Sequence, residues 1–140
     1  MSFVAAGSGE GRYQRRAIDA GVTEPMVQNL IAAFYEKVKR DPMLGPVFDA
    51  IIGHEWDAHI EKITSFWLFV TGLGKGYRTR DFMPAHVRHP TIRASLLPRW
   101  LDLFRETASD ICPPAAARVL IEIAEGMADS IGISLERRDG

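Results

Sequence analysis

The chain of 140 residues contains one cysteine, Cys112. A single thiol excludes an intramolecular disulfide, a four-cysteine zinc site and an iron–sulfur cluster. It also leaves no C-x-x-C-H motif, so covalent attachment of a c-type haem is excluded. Because structural disulfides belong to oxidising compartments, their absence favours a reducing cytoplasm as the location.

The sequence also lacks an excess of charge of either sign and a long apolar run. Seventeen Lys and Arg residues against eighteen Asp and Glu residues give a formal net charge of −1. There is therefore no basic surface of the kind that binds nucleic acid or anionic membranes. No apolar run approaches the ~20 residues of a membrane span, and Phe3-Val-Ala-Ala6 is too short for a signal-peptide core. We expect a cytoplasmic protein that binds neither nucleic acid nor membrane.

Strand-like alternation of apolar and polar residues is missing as well, and apolar positions recur at helical spacing instead. The predicted helices cover about 23–40, a short segment after Pro42, 54–71, a segment that starts near Ser95, and about 113–135. With 46% hydrophobic and 25% charged residues, the chain suits one compact domain. The predicted fold class is all-α.

The first 22 residues differ in composition from the rest. Gly7-Ser-Gly-Glu-Gly11 has no apolar pattern, and Arg12, Arg15 and Arg16 follow it. The sequence predicts a flexible N-terminal arm over residues 1–22 and one domain over residues 23–140. Because such a composition cannot fill a core, we expect residues 1 to about 20 to be dispensable for the binding of any ligand by the domain.

The most informative segment runs from Trp56 to Trp67. Its apolar residues form one stripe of an amphipathic helix, and His59 lies among them. Such a histidine is most often a half-buried core residue with a hydrogen-bond partner. It can also face a ligand or metal in a lined pocket, and the segment by itself does not decide between the two.

Other residues able to support chemistry are few. They are the histidines, tyrosines and tryptophans His54, His59, His86, His89, Tyr35, Tyr77, Trp56, Trp67 and Trp100. No H-E-x-x-H motif, nucleophile elbow or carboxylate pair is present. His86 and His89 are three residues apart, as in some zinc sites, but Pro90 beside them makes that spacing a loose constraint, and surface histidines of a loop are the better explanation. The ordinary explanation of the aromatic residues is core packing.

Taken together, several motifs resemble the truncated haemoglobins, specifically group III. The matching segments are Phe34-Tyr-Glu-Lys-Val-Lys-Arg-Asp-Pro-Met-Leu-Gly-Pro-Val-Phe48, Trp56-Asp-Ala-His59, Phe66-Trp67, Met83-Pro-Ala-His86 and Arg99-Trp-Leu-Asp-Leu-Phe104. The resemblance as a whole covers about residues 27–131. One departure is Pro98, which stands where a helix-compatible residue is more usual.

The resemblance implies a shortened globin fold, with two helices crossing two others around non-covalent haem b. By motif match, His86 is the proximal iron ligand and Phe48 packs on the porphyrin edge. Ile63 is expected to contact the cofactor as well, and it would be core in any case.

The resemblance also implies the residues of the distal side. Tyr35 is the distal tyrosine, His59 faces the iron from the distal helix, and Trp100 is the indole of the pocket. These three residues are the expected contacts of a bound diatomic ligand, and His59 and Trp100 are also expected to contact haem.

The implied function is reversible binding of oxygen, and of NO and CO, at an iron held by His86. Two polar donors favour ligand-linked redox chemistry over bulk oxygen transport. The alternative is a haem enzyme of peroxidase or nitric-oxide dioxygenase type. It would need an external reductase, because the chain contains no flavin or nicotinamide domain. A third hypothesis, a helical interaction module with an aromatic core, is separated from both by the absence of an intense Soret band.

Overall fold

A computed structural model of the chain describes residues 6–74 and 93–139. This part contains six α-helices and one 3₁₀ turn, and it has no strand. The helices are α1 (Ala6–Asp19), α2 (Glu24–Arg40), α3 (Leu44–Ile52), α4 (Trp56–Val70), α5 (Leu97–Ile111) and α6 (Pro114–Asp139), and the 3₁₀ turn is Ala94–Leu96. The predicted all-α class is confirmed.

Helix α2 begins where the sequence predicts it, because Thr23 caps it. The Thr23 hydroxyl accepts a hydrogen bond from the backbone N–H of Met26 at 3.3 Å. Pro25 lies in the first turn, where the missing N–H has no helical partner in any case. Lys37, Lys39 and Arg40 occupy the last turn, where positive charge stabilises the carbonyl end of the helix.

The corner between α2 and α3 is organised by Asp41. Its Oδ2 atom accepts hydrogen bonds from the N–H groups of Met43 at 3.0 Å and Leu44 at 2.9 Å, which satisfies donors at the start of α3. Gly45 allows the two helices to approach closely, because a Cβ there would lie 2.5 Å from the carbonyl oxygen of Lys39. The corner therefore fixes α3 against the end of α2.

Three aromatic residues join the helices that form the core. Phe104 of α5 stacks on Trp67 of α4 at 5.1 Å between ring centroids, and it meets Phe34 of α2 edge to face at 5.2 Å. All three side chains are at most 1% exposed. Helix α2 also packs on α3, and α5 packs on α6. The core thus lies where α2, α4 and α5 meet, and α6 covers α5.

Pro98 does not disturb α5. A 3₁₀ turn over Ala94–Leu96 leads into the helix at Leu97, and Pro98 falls in the first turn. A proline there costs no helical hydrogen bond. Pro98 is therefore compatible with the helix, and Trp100 lies one turn after the start of α5.

The N-terminal segment differs from the expected arm. Residues 6–19 form α1, and Ala17 is fully buried. Arg16 forms an ion pair with Glu122 of α6. Gly72 follows α4 with φ +82°, and a Cβ there would meet the Gln14 side chain at 2.8 Å. The physical reason for the difference is tertiary packing, because a helix poor in local propensity is stabilised by neighbours distant in sequence.

Among the described residues, no helix combines the length and apolar character that a membrane crossing requires.

A truncated protein that begins at Gly21 tests the packing of α1. Removing α1 exposes the surface that Ala17 covers and deletes the Arg16–Glu122 pair. We expect the thermal midpoint to fall by about 5 °C or more. Calorimetry of the truncated and full-length proteins measures this change.

Glu122→Gln is the matched control, because it removes only the ion pair. Both side chains of the pair are 39% exposed, so the variant should shift the midpoint by less than about 2 °C. An unchanged midpoint in the truncated protein would show that α1 adds no stability. That residues 1 to about 20 are dispensable for ligand binding stays a prediction. Ligand binding by the same truncated protein tests it.

Candidate functional site

The three predicted distal residues come from three different helices and lie close together. Tyr35 belongs to α2, His59 to α4 and Trp100 to α5. The Tyr35 and His59 rings are 5.9 Å apart between centroids and meet at 82°. The Trp100 indole lies near enough to the Tyr35 hydroxyl to lower its pKa, and both rings meet Phe34 edge to face. The fold therefore assembles one polar cluster, the distal cluster (Tyr35, His59 and Trp100), from residues far apart in sequence.

The Tyr35 hydroxyl is held in its protonated form by burial. The residue is 3% exposed, and desolvation raises its pKa to about 12, although the nearby Trp100 indole lowers it in part. An indole N–H can only donate, so it offers the Tyr35 oxygen its partial positive charge. The Tyr35 O–H group keeps its proton and can donate it to an acceptor.

His59 turns its imidazole towards the interior. The Nε2 atom is buried from solvent, although the residue as a whole is only half-buried. The Trp56 ring lies 6.3 Å from both the imidazole and the Tyr35 ring. Trp56 is itself held by a hydrogen bond from its indole N–H to Asp49 Oδ1 at 2.8 Å, and Lys39 Nζ lies 5.1 Å from its ring centroid. His59, Trp56 and Tyr35 therefore form a cluster in which each ring contacts the other two.

The two apolar residues predicted to contact a cofactor flank the distal cluster. Phe48 of α3 lies 6.4 Å from the Tyr35 ring, and its exposure is 9%. Ile63 of α4 is one helical turn beyond His59 and is 2% exposed. The apolar and polar residues implied by the family resemblance are therefore neighbours in space.

The predicted proximal ligand, His86, lies outside the described residues, as do His89 and Tyr77. Within the described ranges 6–74 and 93–139, no group of three His, Cys, Asp or Glu side chains is arranged to hold a metal ion.

The residues that are described fit the haem that the resemblance implies. The Tyr35 and His59 side chains come from different helices and their rings meet, and Phe48 lies beside Tyr35. O–H and N–H groups in a dry site stabilise a small acceptor with partial negative charge. The hydrogen-bond donors and the polarity of the distal pocket govern what a haem iron binds.

Sequence reasoning missed the pair formed by Asp41 and Arg99. Asp41 was predicted, together with Pro42, to end one helix and start the next, with no side-chain partner. In the structure its side chain is 2% exposed, and its Oδ1 atom accepts hydrogen bonds from Arg99 Nε at 2.8 Å and Nη2 at 2.5 Å. The available signal was Asp41 just before Pro42, since aspartate between two helices commonly caps the second. Its partner, 58 residues away, left no signal in the sequence.

Comparison with known proteins gives consistent results. No protein-family model matches the chain. A curated group 3 truncated haemoglobin of Campylobacter jejuni is 30% identical over 110 residues, which are 76% of this chain and 86% of that protein. The crystal structure of a group III truncated haemoglobin from Campylobacter jejuni superimposes with a TM-score of 0.75 at 27% identity, over 81% of this chain and 91% of that one.

The raised pKa of Tyr35 gives a prediction for alkaline titration. An ordinary tyrosine is half-ionised near pH 10, whereas Tyr35 should remain protonated until about pH 12. The ultraviolet difference spectrum between wild type and Tyr35→Phe should therefore contain no tyrosinate absorbance at about pH 10. Half-ionisation of Tyr35 at that pH would show that its hydroxyl is solvated.

Proposed function

The chain belongs to the group III truncated haemoglobins, and from this premise we propose that it binds haem b non-covalently and binds oxygen and other diatomic ligands reversibly. The predicted shortened globin fold is confirmed. The observation that most supports the proposal is the convergence of Tyr35, His59 and Trp100 from three helices. Bound haem supplies an iron atom that takes up oxygen, CO or NO.

Three residues of the chain would hold the cofactor from two sides. We assign His86 as the proximal ligand, with a neutral imidazole whose second nitrogen is hydrogen-bonded. Phe48 and Ile63 would pack against the porphyrin, since both are apolar, buried and adjacent to the distal cluster. His59 and Trp100 would complete the contacts on the distal side.

Tyr35 is the principal donor to the bound ligand in this proposal. Its raised pKa keeps the O–H group intact at physiological pH, and its burial excludes competing water. A hydrogen bond to a partly charged acceptor is stronger in such surroundings than in solvent. Trp100 lies near the Tyr35 hydroxyl and would act on the ligand either through Tyr35 or as a second donor, and His59 supplies a third polar group.

Donors of this kind slow the release of oxygen. Slow release of oxygen suits redox chemistry linked to the bound ligand, such as turnover of nitric oxide, nitrite or peroxide, better than it suits bulk oxygen transport. The proposal includes a cytoplasmic location. Any turnover that consumes electrons would also require a separate reductase.

Absorption spectra of the purified protein test haem binding and the role of His86. Wild type should show an intense Soret band in ferric and ferrous forms and a shifted band under CO. His86→Ala should lose haem or need added imidazole to retain it, because its iron ligand is gone. His89→Ala is the matched control and should keep the wild-type spectra. If His86→Ala keeps a normal spectrum under CO while His89→Ala loses it, the assignment of His86 is wrong.

Stopped-flow release of oxygen and CO tests the distal donors. Tyr35→Phe deletes one hydroxyl and keeps the ring. A hydrogen bond to a partly charged acceptor contributes ~1.5–3 kcal/mol, so oxygen release should accelerate roughly tenfold to a hundredfold. Because CO bears less charge, its release should change less. Equal acceleration of both gases would indicate that the pocket has opened, and no acceleration would make Tyr35 a core residue only.

Trp100→Phe and the double variant separate direct from indirect action of the indole. The single variant should also accelerate oxygen release, although it leaves a cavity as well. If Trp100 acts mainly through the Tyr35 hydroxyl, adding Trp100→Phe to Tyr35→Phe should cause little further acceleration. Additive effects would instead identify Trp100 as an independent donor to the ligand.

A further inference from the structure

The first turn of α4 places Trp56 against two residues of the distal cluster. Its ring centroid lies 6.3 Å from that of His59, with 85° between the ring planes, and 6.3 Å from that of Tyr35. The Tyr35 and His59 rings are themselves 5.9 Å apart. A shift of the Trp56 ring therefore changes the packing of both residues that are expected to contact a bound ligand.

Burial fixes Tyr35 more firmly than it fixes His59. Tyr35 is 3% exposed, whereas His59 is only half-buried. The buried residues of α4 begin at Ile63, about one turn beyond His59. Before Ile63, Trp56 and Ile60 pack against the core but remain half-buried. Burial alone therefore leaves the imidazole more freedom than it leaves the phenol.

Polar contacts from two other helices orient the Trp56 ring. Its indole N–H donates a hydrogen bond of 2.8 Å to Asp49 Oδ1 of α3, and Lys39 Nζ of α2 lies over the ring, 5.1 Å from its centroid. An aromatic ring is positive at its edge and negative on its face, so the carboxylate and the ammonium each meet the favourable part of the indole. The first turn of α4 has no other polar side-chain anchor at its cap, because Glu55 makes no capping hydrogen bond. Trp56 therefore joins the start of α4 to both α2 and α3.

We propose that Trp56 is a positioning residue, whose ring holds the His59 imidazole against Tyr35. Asp49 and Lys39 act through it, by fixing the plane and the direction of the indole. The consequence for ligand release rests on the proposed haem function. The positioning itself does not, because every contact involved joins two residues of the chain.

The contacts of Trp56 are of a size that allows a substitution to loosen the imidazole without unfolding the chain. An edge-to-face contact adds a modest stabilisation beyond the area that it buries, so its loss corresponds to roughly a twofold to tenfold change in population. Asp49 is exposed, and its removal therefore leaves no uncompensated buried charge. Lys39 keeps a second partner on α2, since its Nζ lies 3.6 Å from Glu36 Oε2. The hydrogen bond to Asp49 is thus the contact to remove first.

The first experiment measures the contact between His59 and Tyr35 by NMR. The full-length protein is labelled with ¹³C in histidine and tyrosine and studied in the reduced, CO-saturated form, which is diamagnetic when haem is bound. Of the four histidine signals, the one that His59→Leu removes belongs to His59. Wild type should show a nuclear Overhauser effect between the two rings, because their centroids are 5.9 Å apart. Asp49→Ala and Trp56→Phe should each reduce it roughly twofold or more.

Two matched variants distinguish this contact from general loosening at the start of α4. Asp49→Asn keeps an oxygen acceptor for the indole N–H, so it should retain most of the wild-type Overhauser effect. Asp57→Ala removes another exposed carboxylate, which lies in the first turn of α4. It weakens the favourable charge at this helix end and leaves the acceptor of Trp56 in place, so the Overhauser effect should stay at the wild-type value.

Oxygen release measured on a double-variant cycle tests whether Trp56 acts through His59. Trp56→Phe should accelerate oxygen release roughly twofold to tenfold, in the same direction as His59→Leu. Adding Trp56→Phe to His59→Leu should cause no further acceleration, because the imidazole that Trp56 holds is already absent. A weakened ring contact without any effect on oxygen release would support the positioning and count against His59 as a contact of the bound oxygen.

Three results would overturn the positioning role. The first is a contact between His59 and Tyr35 that is absent in wild type or unchanged in Trp56→Phe. The second is an equal reduction in Trp56→Phe and Asp57→Ala, which would indicate general loosening of the first turn. The third is a further acceleration of oxygen release in the double variant, since Trp56 would then act independently of His59. If Trp56→Phe yields no soluble protein, Asp49→Ala decides by the same criteria.

The same measurements separate the positioning from the proposed function. A protein that binds no haem would overturn the proposed function. NMR of that protein as purified would still decide whether Trp56 holds His59 against Tyr35, because the ring contact is measured without any ligand.

Discussion

Packing of Tyr35 and Trp100 on Phe34 is the constraint on which the site depends. Phe34 meets the Tyr35 ring at 4.8 Å and the Trp100 ring at 5.5 Å, both edge to face. The Tyr35 phenol is only 3% exposed, and burial of a hydroxyl without a partner is costly. The Trp100 indole lies near enough to that hydroxyl to lower its pKa, which requires α5 to lie beside α2. The arrangement of these two helices therefore places two polar groups within one apolar core.

Aromatic packing and hydrogen bonds both hold α5 against α2. Phe104 packs between Phe34 and Trp67, which fixes the middle of α5 against α2 and α4. Such stacking sets the distance between helices but permits small shifts along them. Directional hydrogen bonds at the start of α5, from Arg99 to Asp41, remove that freedom. The donors of the distal cluster lie close to this anchored end.

The histidine of the distal cluster is held differently. His59 lies on α4, which is joined to α3 by the hydrogen bond from Trp56 to Asp49. Trp56 is only half-buried, and Asp49 is exposed. This side of the cluster is consequently closer to solvent than the side formed by Tyr35 and Trp100, which are both buried.

Local residue patterns by themselves determined the helices from α2 onwards, their approximate ends and the residue types of the site. Thr23 and Pro25 signal a helix start through local chemistry, and the spacing from Trp56 to Trp67 defines one apolar face. The roles of Tyr35, His59 and Trp100 came from the motifs of a family, not from periodicity. Only the tertiary structure decided that residues 6–19 form a packed helix and that Arg99 pairs with Asp41. Helical periodicity and caps act within a few residues, whereas these contacts join residues 58 and 106 positions apart, so no local pattern encodes them.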